Sequence, residues 1–301
     1  MAVSLTHSES NNQTDKAFKA NTLYKKNKPQ ANLCFLYNAR LGNRMFQYAA
    51  VLGIATEKNM VPVIQKDHPE LQTFELGAKL IDDRECLRYL VHRGKRYAAF
   101  DNESVAFDSR VNTILSGSYQ SWRYFRHVEQ ELRHHFAFRQ HILDEARSTL
   151  SDAVRQQGFD KFPEQTLVGI HVRRGDMLME EYVNTGYKTA PQDYFLRAMD
   201  IFLRKFPVVV FIVCSEDQEW VRSFIPHDRA VFISPRSAEK DLAVLSLCNH
   251  MIMSVGSFGW WAGWLAGGMT IYYKHQTAER SLLSKGFVLS DYMPPEWIGL
   301  D

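Results

Sequence analysis

The run Gly169-Ile170-His171-Val172-Arg173-Arg174-Gly175-Asp176 concentrates more chemistry-bearing side chains than any other stretch of this chain. It closes an apolar segment, residues 166–172, that is predicted to be a buried strand. In an open parallel sheet, ligands bind beyond the carboxyl ends of the strands. Alternation along a strand puts His171 and Arg173 on one face. Gly175 then lets the chain turn at once, so Arg174 and Asp176 are expected at the same cleft. Two adjacent guanidinium forks suit a pyrophosphate, whose oxygens take paired donors. Arginines at the end of a buried strand are costly unless they serve an anion.

A second such place is Arg40-Leu41-Gly42-Asn43-Arg44-Met45-Phe46-Gln47-Tyr48. It reads as a strand, a turn and a helix entry, without the G-x-G-x-x-G of a dinucleotide loop. The helix N-terminus attracts anions through its free N–H groups; plain capping by Asn43 is the alternative use. The third is Ser254-Val255-Gly256-Ser257-Phe258-Gly259, where two glycines allow backbone amides close to a ligand and Ser257 is able to cap a helix or donate to a phosphate. Three strand-end features of this kind favour a nucleoside diphosphate. No D-x-D metal motif occurs. Asp82-Asp83-Arg84 reads as a solvated charge cluster, and His134-His135 beside Arg133 as exposed helix positions. Arginine, not Mg²⁺, is therefore expected to neutralise a bound pyrophosphate.

Positioning these groups falls to alternating strands and helices. In the second half, strands are predicted at residues 166–172, 207–214, 230–234, 250–254 and 269–273. The Val-rich 207–214 run has the pattern of a strand buried on both faces. Pro191 is expected in the first turn of a helix carrying Phe195, Met199, Phe202 and Phe206 at helical spacing. Ser215 and Gln218 form an expected capping box for a helix running to about residue 225. Helices are also predicted at 241–248 and 258–266. The first half starts alike, with strands at 33–37 and 60–64, a helix at 43–58, a strand at 111–116 and a helix at 122–138. Between residues 67 and 110 the pattern blurs. The two halves should meet near residues 156–164, where Gly158 and Pro163 cluster with polar residues. Strands alternating with helices mean parallel sheets covered on both faces.

The chain has 301 residues, 45% of them hydrophobic and 23% charged, which excludes a disordered protein and supplies a sizeable core. Lys plus Arg total 36 against 34 for Asp plus Glu, a balance that argues against nucleic-acid binding through a global basic field. Cys34, Cys86, Cys214 and Cys248 form no C-x-x-C pair; Cys34 and Cys214 fit as small hydrophobes, and disulfides stay open. Asn12 and Asn102 start short glycosylation acceptor patterns. Residues 1–30 are polar and lysine-rich, an expected arm or stem with no visible leader or membrane anchor. Residues 251–273 carry no charge, but the glycines within them predict strand, turn, helix and strand in a core and not a bilayer span.

Taken with Leu245-Ser246-Leu247-Cys248-Asn249-His250, Ser257-Phe258-Gly259-Trp260-Trp261 and Pro295-Glu296-Trp297-Ile298-Gly299, the motifs at 40–48 and 171–176 resemble those of the α1,2-fucosyltransferases over residues 31–300. The H-x-R-R-x-D element is also similar to that of α1,6- and protein O-fucosyltransferases. The resemblance implies an α/β fold of GT-B type, two Rossmann-like parallel-sheet domains with the active site in the cleft. Residues 31–157 would face the acceptor and 164–301 would bind GDP-fucose. It further implies GDP-β-L-fucose as co-substrate, no metal or other cofactor, and inversion to an α1,2 linkage on a terminal galactose of a glycan. A Golgi setting follows from the family; without an anchor, a soluble form or truncated product is expected.

By the same resemblance, Arg173 and Arg174 meet the diphosphate and the leaving oxygen, and His171 lies beside the nucleotide. Asp241 accepts from guanine, while Ser257 and the amide of Phe258 form the phosphate turn. Asn43 and Arg44 stand on the acceptor side. Asp176 and Glu181 are the candidates for a catalytic base, and the reaction has the option of none. Another fucosyl linkage class, or a silent glycan- or nucleotide-binding protein, are the competing readings.

Overall fold

The computed structural model describes residues 30–37, 39–161 and 164–301. Its first half runs β1 (Asn32–Phe35), α1 (Leu41–Lys58), β2 (Val61–Gln65), β3 (Lys79–Ile81), α2 (Asp83–Cys86), β4 (Leu90–Arg93) and β5 (Thr113–Ser116). Two helices follow, α3 (Glu129–His135) and α4 (Gln140–Gln156). The second half begins with β6 (Thr166–Val172), α5 (Glu180–Thr185), α6 (Gln192–Lys205), β7 (Val209–Ser215), α7 (Gln218–Phe224), β8 (Ala230–Ile233) and α8 (Ala238–Ser246). It ends with β9 (His250–Met253), α9 (Ser257–Ala266), β10 (Thr270–Tyr273), α10 (Leu282–Lys285), α11 (Leu289–Tyr292) and β11 (Ile298–Leu300).

The strands form two sheets, ordered β3-β2-β1-β5-β4 and β11-β10-β9-β6-β7-β8, with every pairing parallel. Parallel strands need crossover helices on the faces. That is why β7, with every residue buried, reads as one continuous apolar run. The sheets belong to one compact unit, residues 31–301. Its seam is aromatic: Phe46 of α1 packs on Trp260 and Trp261 of α9 at ring-centroid distances of 4.6 and 4.9 Å. The indole of Trp261 donates to the carbonyl of Gly42 at 2.9 Å. Gly42 has to be glycine, because a Cβ there would sit 2.8 Å from the Phe258 amide nitrogen and the Ser257 hydroxyl. The starts of α1 and α9 thus touch, and the buried Trp pair holds them together.

Several local expectations fail for identifiable reasons. Residues 122–138 are not one helix: short 3₁₀ turns at Trp122–Tyr124 and Arg126–Val128 precede α3. Tyr124 and Phe125 turn inward to the seam, and Phe125 adopts φ −135°, off the helix. Pro191 caps α6 from outside, with ψ 163°, and does not sit in its first turn. The box on Ser215 and Gln218 is replaced by Asp217, whose carboxylate accepts the Trp220 N–H at 3.2 Å. Gln218 instead donates to the carbonyls of Ser215 and Ile233. Cys34 is bonded to Cys86 and so is no free thiol, whereas Cys214 and Cys248 stay free and buried.

The charge-free stretch divides among β9, α9 and β10, and no helix among the described residues is long and apolar enough to cross a membrane. The blurred stretch holds β3, α2 and β4, where Leu80, Leu87, Leu90 and Val91 are exposed and spoil the burial pattern. Residues 1–29, with the Asn12 acceptor pattern, and Pro163 lie outside the described residues.

Candidate active site

A cavity of about 610 Å³ opens where the ends of β6 and β7 meet the starts of α1 and α9. Arg173 lines it. Its amide donates to the Ser254 hydroxyl at 2.9 Å, tying the end of β6 to the turn before α9. Its guanidinium grips Asp176 through both carboxylate oxygens, at 3.1 and 2.9 Å. Gly256, at φ +88°, leaves room for this side chain: a Cβ there would stand 2.6 Å from Arg173 Nη1. Arg40, from the first half of the chain, also donates to Asp176. The Arg173 hydrogen bond, helped by Arg40, holds the Asp176 carboxyl down at about 2 against partial burial. A carboxylate so engaged is a weak proton acceptor; its position makes it a brace for two arginines.

Arg174 does not join Arg173. Its side chain donates to Asp217 at 3.0 Å and its guanidinium lies 4.6 Å over the Trp220 ring, outside the cavity wall. Strand alternation, and not the Gly175 turn, decides its direction. The turn itself is held by Glu216, whose carboxylate accepts the amides of Arg174 and Gly175, each at 2.9 Å.

His171 is buried beside Phe258, with ring centroids 4.8 Å apart. Burial, then the charge of Arg173, pushes its pKa from 6.5 to about 3, so the ring is neutral at ordinary pH. Its buried Nδ1 has no hydrogen-bond partner. Ser257 does not cap α9. Its hydroxyl donates to the Asn43 side-chain oxygen at 2.5 Å, and Gln120 donates to the same oxygen at 2.9 Å. Asn43 in turn caps nothing; the N-cap residues Arg40 and Gly256 carry no side-chain cap. The first N–H groups of α9 therefore remain available at the cavity, a ready anion site.

Asp241, in the first turn of α8, faces Arg236 across 3.5 Å. Burial raises its pKa, against the pull of Arg236. Asp241 Oδ1 and Arg236 Nε and Nη2 are buried without hydrogen-bond partners, so this corner presents unmet acceptors and donors together.

Two expected residues stand elsewhere. Arg44 pairs with buried Glu70 and donates to the Ala39 carbonyl, propping the loop before α1 and leaving the cavity wall. Glu181 is exposed on α5 and lines no part of the cavity, while its neighbour Tyr182 does. Tyr182 packs against Tyr187 at 5.4 Å, and the half-buried Tyr97 lines the cavity beside them. These tyrosines and Arg236 stand outside the sequence motifs, and Arg40 only heads the 40–48 run. Arg236 lies just past β8, after Ser234 and Pro235, a strand-end position that could have marked it; nothing around Tyr97 could. Among the described residues no group of three or more His, Cys, Asp or Glu side chains could hold a metal ion.

Residues 2–301 match the sequence profile of glycosyl transferase family 11. The chain is 32% identical over 275 residues to galactoside alpha-(1,2)-fucosyltransferase 1 of Lagothrix lagotricha, covering 88% of this chain and 73% of that protein. The same identity and coverage hold over 278 residues for the Homo sapiens enzyme of that name. In fold it is similar to POFUT1 in complex with GDP, at TM-score 0.52 and 12% identity over 82% of this chain and 99% of that one. Arabidopsis thaliana FUT1, solved as an Arg-to-Lys variant in complex with GDP, gives TM-score 0.52 and 13% identity over 85% and 72%. The two parallel Rossmann-like sheets are thus the GT-B arrangement expected from the motifs. With the profile matched along nearly its whole length and relatives at this identity, the chain belongs to glycosyl transferase family 11 and is a homologue of the galactoside α1,2-fucosyltransferases.

Proposed function

We propose that this enzyme moves L-fucose from GDP-β-L-fucose to the 2-hydroxyl of a terminal β-galactose on a glycan, with inversion to an α1,2 linkage. The observation that carries this reading is Arg173, fixed by Asp176 and the Gly256 turn beside the open start of α9. As the fucosyl C1–O bond breaks, negative charge grows on the β-phosphate. A guanidinium and helix amides already aimed at that charge stabilise the transition state more than the ground state. The Asp241 carboxylate suits guanine N1 and N2 hydrogens, and Arg236 suits an acceptor on the base. The galactose oxygen bonds to C1 as the C1–O bond to the phosphate breaks, and its proton leaves late, to water or to the departing β-phosphate, so a strong base is dispensable. Arg173, needing no metal partner, supplies the positive charge. An oxidising compartment such as the Golgi lumen fits the Cys34–Cys86 bond.

The test is transfer from GDP-fucose to lactose or N-acetyllactosamine, with the product linkage read by NMR, in EDTA and in Mn²⁺. The expected product is α1,2-fucosyl galactose, made equally in both. A different linkage, or strict dependence on Mn²⁺, would overturn the corresponding part. GDP binding with no transfer to any glycan would leave a silent binding protein.

A further inference from the structure

Past Tyr97 the main cavity adjoins a second, open groove of about 410 Å³. Tyr97 lines both. The groove is walled by segments from the two halves of the chain, the 95–97 stretch and α10 with Gly286. These segments are laced together: the Ala98 amide donates to the Gly286 carbonyl at 2.9 Å and the Val288 amide to the Ala98 carbonyl at 3.0 Å. Its walls therefore exist before any ligand arrives. Lys95, Arg96 and Lys285 line it, and no carboxylate does. Glu103 takes Lys95. Arg96 and Lys285 are exposed and make no ion pair among the described residues. Leu283 and the ring of Tyr97 supply an apolar floor of the sort a sugar face rests on.

The groove lies on the side of the cleft away from Asp241. Arg236 and Asp241 follow β8, one edge of the six-stranded sheet, whereas Tyr187 bridges to Thr277, beyond β10 near the other edge. On the proposed function, which puts guanine at Asp241 and Arg236, the nucleotide fills the β8 side, and the tyrosine side is left for the acceptor. We propose that this groove is an acceptor subsite for an acidic glycan, taking a sulfate or carboxylate on the sugar that precedes the terminal galactose. Arg96 and Lys285 bind the acidic group, and Tyr97 carries the sugar between them and the transfer site.

Purified enzyme is assayed with GDP-fucose on N-acetyllactosamine and on its 6-sulfo form, sulfated on the N-acetylglucosamine, at low and high salt. In parallel, equilibrium binding of each disaccharide is measured without donor. The sulfated acceptor should show a KM and a Kd about 3- to 10-fold lower at low salt, the size expected of one or two exposed ion pairs. The advantage should shrink in 0.5 M salt. The Arg96→Ala/Lys285→Ala double variant should lose it while keeping the parent's melting temperature and its kcat on the neutral acceptor. Equal binding of the two disaccharides by the parent, or an advantage that survives in the double variant, would overturn the subsite. Failure to fucosylate either disaccharide would instead overturn the proposed reaction, leaving the binding comparison to judge the groove.

Discussion

The two sides of the cleft are built from opposite materials. Beside β8, Asp241 and Arg236 present charged atoms whose hydrogen bonds are unmet. Toward β10, Tyr97, Tyr182 and Tyr187 line the cavity and offer ring faces. A flat polar base with a fixed donor and acceptor pattern is selected by the first kind of surface, since leaving buried polar atoms unpaired is costly. A sugar, with an apolar face and a rim of hydroxyls, is better served by the second. Between them stands Arg173, which on the proposed reading meets the charge that grows on the β-phosphate as the fucosyl C1–O bond breaks.

The largest expected effect comes from that middle residue. Arg173→Lys keeps one charge but loses the fork held by Asp176, so kcat should fall about 10²–10³-fold with every acceptor. Arg174→Lys, whose side chain rests on Asp217 and Trp220, should stay within several-fold of the parent. Steady-state kinetics of the two variants, each checked for an unchanged melting temperature, decides this, and the reverse order would dissolve the central role given to Arg173. Next in size, Asp241→Asn should raise the KM for GDP-fucose about 10-fold or more while the acceptor KM holds, as loss of a hydrogen bond to a charged group predicts. An equal rise in both constants would mean that the two sides are not separate. The smallest change is Tyr187→Phe, which removes a hydroxyl from the aromatic side. It should raise the acceptor KM about 3-fold and leave the donor KM alone; a donor effect of the same size would move Tyr187 to the nucleotide.

What the sequence revealed of this arrangement depends on how local each feature is. The buried run of β6 and the alternation of His171, Val172 and Arg173 are written within a few residues, so the strand end and its arginine were legible. The same alternation puts Arg174 on the opposite side from Arg173, which is where its side chain meets Asp217 and Trp220. Asn43 and Ser257 were found as individuals, but their contact joins residues 214 apart, and no periodicity records it. The tyrosine side is harder still. Tyr97 lies in the stretch where exposed Leu90 and Val91 hide the strand pattern, and it meets Tyr187 only through the folded seam. Arg44 misled because its neighbours in sequence face the cleft, while helical rotation turns its own side chain to Glu70.

The bond between Cys34 and Cys86 bears on the chain before it folds. It closes a loop across a sequence separation of 52, which in the chain-entropy picture takes about 4 kcal/mol of freedom from the denatured state. The bond sits in a small core of its own with Val63, Ile81 and Ile114, under the half of the molecule whose strands are shortest and most exposed. The six-stranded sheet has no such tether, and its two thiols stay buried and free. A chain synthesised where thiols remain reduced would keep the core of that larger sheet and lose the restraint on the smaller one. Arg40 and Asn43, which the smaller sheet delivers to the cleft, would then be the first groups to lose their register.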